Sequence, residues 1–224
     1  MRITSIHYDR FPQIRMLNHR FQANARHLMV RLEVADYAPP LSRDFVSMYQ
    51  ALVRVFPTLS HHQCCEQWEN TPLFLQEIEG VSLKTAGEIA DVAHLTEHVI
   101  VDMIVAISGV RACSGITCGH REPENRFDLF VECEDVRLGV FAANFAVYLV
   151  RRLYTRPRLS RRYANVVEAA RWLYLHPNGP DPAATLCAEL GYPAGLAHMA
   201  VNYLRVFQFL EEKHADEPDN PFAR

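Results

Sequence analysis

The chain of 224 residues has the length of one ordinary domain with room for an appendage, and 49% apolar against 22% charged residues is the balance of a globular protein with a sizeable core. A formal net charge of −3 supplies no positive field for nucleic acid or an anionic membrane, and no apolar run reaches the ~20 residues that span a bilayer. The opening MRITSIHYDR lacks the apolar stretch and small-residue cleavage site of a secretion signal, so a cytoplasmic location is expected. Six cysteines without paired spacing read as idle thiols.

In chain order, the alternation around Ile3 and Ile6 predicts a strand, and HLMVRLEV at 27–34 predicts a second. Pro39-Pro40 interrupts the chain. A helix follows from about Arg43 to Phe56, with Phe45, Met48, Tyr49, Leu52 and Phe56 on one face and Pro57 closing it. Residues 57–84 read as a long loop with a short helix at Pro72–Ile78. The next helix spans about Thr85–Ser108 and stops at Gly109. A loop containing Gly115 and Gly119 leads to a strand at Arg126–Cys133, then a long apolar helix at Val136–Tyr154. This order predicts an α+β domain, a small sheet with long helices packed on it, over residues 1–155.

A C-terminal helical extension is expected over 156–213. Its helices run about Arg161–Leu175, from Asp181-Pro182 (an N-cap followed by proline at the first helical position) and about Leu196–Lys213. Residues 214–224 lack periodicity and read as a disordered tail. The extension can imitate a helix-turn-helix beside the arginine run at 151–162, but its last helix is mostly apolar, which suits packing or a homo-oligomer better than nucleic acid.

The chemistry is concentrated in DVAHLTEHVIVDM. His94 and His98 are four residues apart and project from one helical face, which lets two imidazoles occupy two corners of a tetrahedral zinc site. Glu97 flanks that face, placed to take a proton from a zinc-activated water without ligating. This is the inverted HxxEH arrangement of zinc peptidases. Ile89, Val92, Val99, Met103 and Ile107 can face a core. Asp91 or Asp102 can orient an imidazole through its second nitrogen. A third ligand is needed, and Glu132, in the apolar strand FDLFVE, is the candidate, since a buried carboxylate is costly unless paired. Glu134, of the same strand parity but nearer the end, is its competitor.

The stretches MRITSI, HLMVRLEVAD (27–36), YQALVRVFPTLSHHQC (49–64), AHLTEHVIVDMIVAISG (93–109) and FDLFVECEDVRLGVFAANFAV (127–147) together resemble the N-terminal domain of cyanophycin synthetase. The resemblance implies a domain that binds the arginine-bearing polyaspartate cyanophycin and in some members is metallopeptidase-like. It implies His94, His98 and Glu132 as zinc ligands and Glu97 as catalytic base. Residues 66–91 depart from the family's glycine- and arginine-rich approach to this helix, and these 224 residues hold no counterpart of its ATP-grasp or Mur-ligase-like domains. The expectation is a freestanding zinc peptidase that degrades cyanophycin to β-aspartyl-arginine or short oligomers, with Arg121 and Asp102 as substrate-binding candidates. A non-catalytic polymer-binding module is the alternative, and a DNA-binding regulator is the weaker one.

Overall fold

The computed structural model describes residues 1–17, 21, 25–34, 42–61, 88–111, 113–123, 125–156, 158–177 and 181–210. The short helix expected at 72–78 and the tail at 214–224 lie outside them. Four strands form one antiparallel sheet in the order β1-β2-β4-β3, with β1 at Arg2–Asp9, β2 at His27–Glu33, β3 at Gly115–Gly119 and β4 at Arg126–Glu132. A one-turn helix α1 (Ile14–Leu17) follows β1, and α2 (Ser42–Val53) with a 3-10 turn at Pro57–His61 follows β2. The described part of α3 spans Glu88–Ser108, and α4 spans Val136–Thr155. Then come α5 (Arg162–Leu175), α6 (Pro182–Leu190) and α7 (Ala194–Val206). The class is α+β.

Strand alternation divides the sheet into two unlike faces. Leu28, Val30, Leu32, Phe127, Leu129 and Val131 join the main core, which also holds Val92, Val99, Met103 and Ile107 of α3. The four predicted inward residues of α3 whose side chains are described are therefore fully buried. On the opposite face Glu33 pairs with Arg2 and Arg126, and Asp128 with Arg31 and His120, at 2.7–3.0 Å. Beside those pairs Ile14, Phe21 and Ile116 make a small second cluster against Phe11 and Phe130.

The helix boundaries follow local chemistry. Asp135 caps α4 by accepting from the Arg137 and Leu138 amides, and Asp181 caps α6 by accepting from Ala183 and Ala184, with Pro182 in the first turn as predicted. Helix α7 stops at Val206, well short of Lys213. Gln208 takes a left-handed φ of 64°, and the Phe209 and Leu210 amides return to the Leu204 carbonyl at 2.7 and 3.1 Å. This reversal satisfies the helix-end carbonyl of Leu204 with two amides and buries Phe209, without glycine or proline to announce it.

The main core runs from the sheet into the C-terminal helices: Leu28 and Leu129 belong to the same cluster as Tyr163, Val166, Val201 and Leu204. Phe145 of α4 is the junction, with ring centroids 6.1 Å from Tyr163, 6.0 Å from Tyr203 and 5.2 Å from Phe207. Removing a fully buried aromatic costs about 3–5 kcal/mol. The Phe145→Ala change is expected to lower the unfolding free energy by that amount in chemical denaturation, as one transition. Separate unfolding of 156–210 before the sheet would contradict a shared core.

Candidate metal centre

Helix α3 lies against β3 and β4, and its His94, Glu97 and His98 side chains converge at that contact. Among the described residues these three form a group whose ligating atoms all fall within 4.8 Å of one another. The Nε2 atoms of His94 and His98 are 3.0 Å apart, and His94 Nε2 is 3.7 Å from Glu97 Oε2. Two nitrogens bound tetrahedrally at about 2.0–2.1 Å to one zinc ion would be ~3.3 Å apart. The pair is therefore spaced for one ion, and without it one ring nitrogen can donate a hydrogen bond to the other.

Burial makes the group unusual. Glu97 and His98 are each 5% exposed, and the His94 side chain retains 18%. Desolvation holds the His94 imidazole down at a pKa of about 4, so it is neutral and able to ligate near pH 7. Thr117 Oγ1 donates to Glu97 Oε2 at 3.2 Å, fixing the carboxylate across the helix–sheet contact. The other carboxylate oxygen occupies the space that a Cβ at position 115 would need, so Gly115 is required by close approach.

The segment at 115–119 was expected to be a loop, and it is the edge strand β3. Two glycines in five residues hide the strand signal. What could have exposed it is the β-branched pair Ile116-Thr117, a short connection away from the strong strand at 126–132. Thr117 and Gly115, the residues that seat Glu97, were missed for that reason.

Glu132 is not brought into the group. It shares strand parity with Asp128 and Phe130, on the face turned from α3, and stands opposite His27 in the ladder. Its carboxylate accepts from the Ser114 amide at 3.1 Å. Burial lowers the His27 pKa, and the Glu132 charge opposes that shift, as expected for neighbours on one face. Asp102 lies one turn beyond His98, 1% exposed, and accepts from Thr58 Oγ1 at 2.5 Å. Arg121 is exposed in the β3–β4 connection, about 13 Å of extended chain beyond Thr117. The side chain of Asp91 lies outside the described residues.

Among known families, residues 27–155 match the cyanophycin synthase-like N-terminal domain, more than half of the chain. No curated protein matches it.

The low His94 pKa has a consequence for metal-free protein. The unfolded imidazole protonates near 6.5 and the folded one near 4, so between these values the unfolded state binds more protons. Stability should therefore fall as pH drops from about 6.5 to 4, by up to ~3 kcal/mol. Denaturant titrations across this range should show the slope, and His94→Gln should flatten it. An unchanged slope in that variant would remove His94 as its source.

Proposed function

The chain belongs to the family of cyanophycin synthase-like N-terminal domains, and on that premise we propose that it is a zinc-dependent peptidase cutting the aspartate backbone of cyanophycin. The observation that carries this reading is the convergence of two imidazole nitrogens, 3.0 Å apart, beside a buried carboxylate. His94 and His98 would hold the ion, and Glu132 would be the third donor only if the end of β4 turned its carboxylate from the far face of the sheet toward α3. When bound, zinc supplies Lewis acidity, making a water acidic near neutral pH and polarising a carbonyl.

The chain's own part in the reaction is proton transfer and positioning. Glu97 takes a proton from the attacking water as its oxygen adds to the scissile carbonyl carbon. It then returns that proton to the backbone nitrogen as the C–N bond breaks, leaving a new carboxylate and a new amine. Thr117 keeps the carboxylate oriented, and the absence of a side chain at Gly115 leaves it room. The buried setting of Glu97 limits water around the base. The products are β-aspartyl-arginine or short oligomers of it.

A second reading, a cyanophycin-binding module without catalysis, is favoured by one observation: the group of three lacks Glu132. Zinc content separates the roles. Purified protein should hold about one zinc per chain, Glu97→Gln should keep it, and Glu132→Gln and His94→Ala/His98→Ala should lose it. Retention in Glu132→Gln with loss in Glu97→Gln would make Glu97 the third ligand and remove it as the base.

Activity separates the two readings. Zinc-loaded protein should release new amines from cyanophycin, far fewer from polyaspartate, and fewest from casein, because charged groups placed for the arginine branch are left unpaired without it. Glu97→Gln should lower the rate by about 10²-fold or more. Free arginine as the main product would mean the side-branch bond is cut, and no cleavage by a zinc-loaded protein that still binds the polymer would establish the binding module.

A further inference from the structure

The arginine run at 151–162 takes no part in the metal centre. In a chain of net charge −3, this stretch holds six arginines and no carboxylate. It forms the end of α4, the connection and the first residue of α5. A concavity of about 510 Å³ opens there, lined by Arg152, Thr155, Arg156, Arg158, Leu159 and Ser160. That volume is within the ~300–1,000 Å³ of small-molecule sites. The family match ends at residue 155, so most of this lining lies beyond the matched domain.

Local bonds shape the lining. The Arg152 guanidinium lies over the ring of buried Tyr163, 5.9 Å from its centroid. The Arg156 amide donates to the Arg152 carbonyl at 2.8 Å, and the Arg158 amide to the Arg156 carbonyl at 2.7 Å. Thr155 spends its hydroxyl proton on the Arg152 carbonyl at 3.0 Å. Ser160 Oγ instead accepts from Arg162 Nε at 3.1 Å, which leaves its own proton for a ligand. Among the described residues, no carboxylate pairs with Arg152, Arg156 or Arg158. The negative end of a helix draws arginines into its last turn, which accounts for Arg151 and Arg152 but not for Arg158, beyond the cap. Guanidiniums that share a concavity without a counter-charge repel one another, and a multiply charged anion removes that cost.

We propose that this concavity is a binding site for a small molecule bearing a di- or triphosphate. Arg152, Arg156 and Arg158 meet the phosphate oxygens, and Ser160 donates its hydroxyl to one of them. A lone carboxylate offers one charge to three guanidiniums, whereas a phosphate chain brings several charges and many acceptors in a compact line that suits the arginine fork. The cyanophycin repeat is the wrong ligand here, because each repeat carries a guanidinium that this lining repels. The site therefore stands independently of the peptidase reading.

The test is calorimetric titration of the full, metal-free chain with pyrophosphate, with ADP and with a single-stranded oligonucleotide. Pyrophosphate should bind one per chain and weaken as salt is added, and ADP should bind at least as tightly. The double change Arg156→Ala/Arg158→Ala should weaken both by about tenfold or more. Both residues are exposed, so this variant keeps the fold. Arg54→Ala, which removes an exposed arginine of α2's end, should change neither. Tighter binding of ADP than of pyrophosphate would identify the ligand as a nucleotide, and equal binding would identify the phosphate chain alone, both within the proposal. No binding of pyrophosphate, or binding that the double variant leaves unchanged, would overturn it. So would equal weakening by Arg54→Ala, the mark of a diffuse charge effect. Oligonucleotide binding without pyrophosphate binding would also overturn it and make the run a nucleic-acid surface.

Discussion

Glu97 is a carboxylate inside a helix–sheet contact, and removing such a group from water costs several kcal/mol unless hydrogen bonds or opposite charge compensate. Thr117 supplies one hydrogen bond, and the missing side chain of Gly115 supplies the space. A larger residue at 115 would push α3 away from β3 or turn Glu97 out of the contact. The spacing of α3 from the edge strand, the orientation of Glu97 and the approach of His94 to it are thus one constraint. A part-buried, neutral His94 beside this carboxylate, with a second imidazole 3.0 Å away, is an arrangement that a cation would stabilise and that packing alone does not require.

The rest of the fold holds that contact steady. The core face of β2 and β4 supports α3 and α4, and Phe145 ties α4 to α5 and α7. The opposite face of the sheet carries two charged ladders, Arg2–Glu33–Arg126 and Arg31–Asp128–His120. Part-buried bidentate pairs such as Arg31 on Asp128 fix strand register more than they add stability. The C-terminal helices are continuous with this core through Tyr163 and Leu204.

The parts of this arrangement set by short-range pattern were legible in the sequence. His94 and His98 share a face because helices repeat every 3.6 residues, and Asp181-Pro182 caps α6 because those two residues suit a helix start. Edge strand β3 was hidden by Gly115 and Gly119, and of the two only Gly115 is set by the approach of α3, since a Cβ at Gly119 would meet nothing nearer than Phe127 at 3.5 Å. Glu132 shows a different limit. In FDLFVE both parities carry apolar residues, since Phe130 packs in the second cluster while Leu129 and Val131 pack in the first. Alternation therefore groups Glu132 with Asp128 and Phe130 but does not tell which face α3 covers. That choice is made by tertiary packing, and it sets the carboxylate apart from the imidazoles.

The claim on which the account turns is that a cation sits between His94 and His98. Crystals of the full chain grown with zinc, with anomalous data collected on both sides of the zinc absorption edge, would locate it directly. The account predicts one dominant peak bonded to both Nε2 atoms at about 2.0–2.1 Å, beside the Glu97 carboxylate. A zinc-loaded crystal with no peak there, the two rings still hydrogen-bonded to each other, would contradict it.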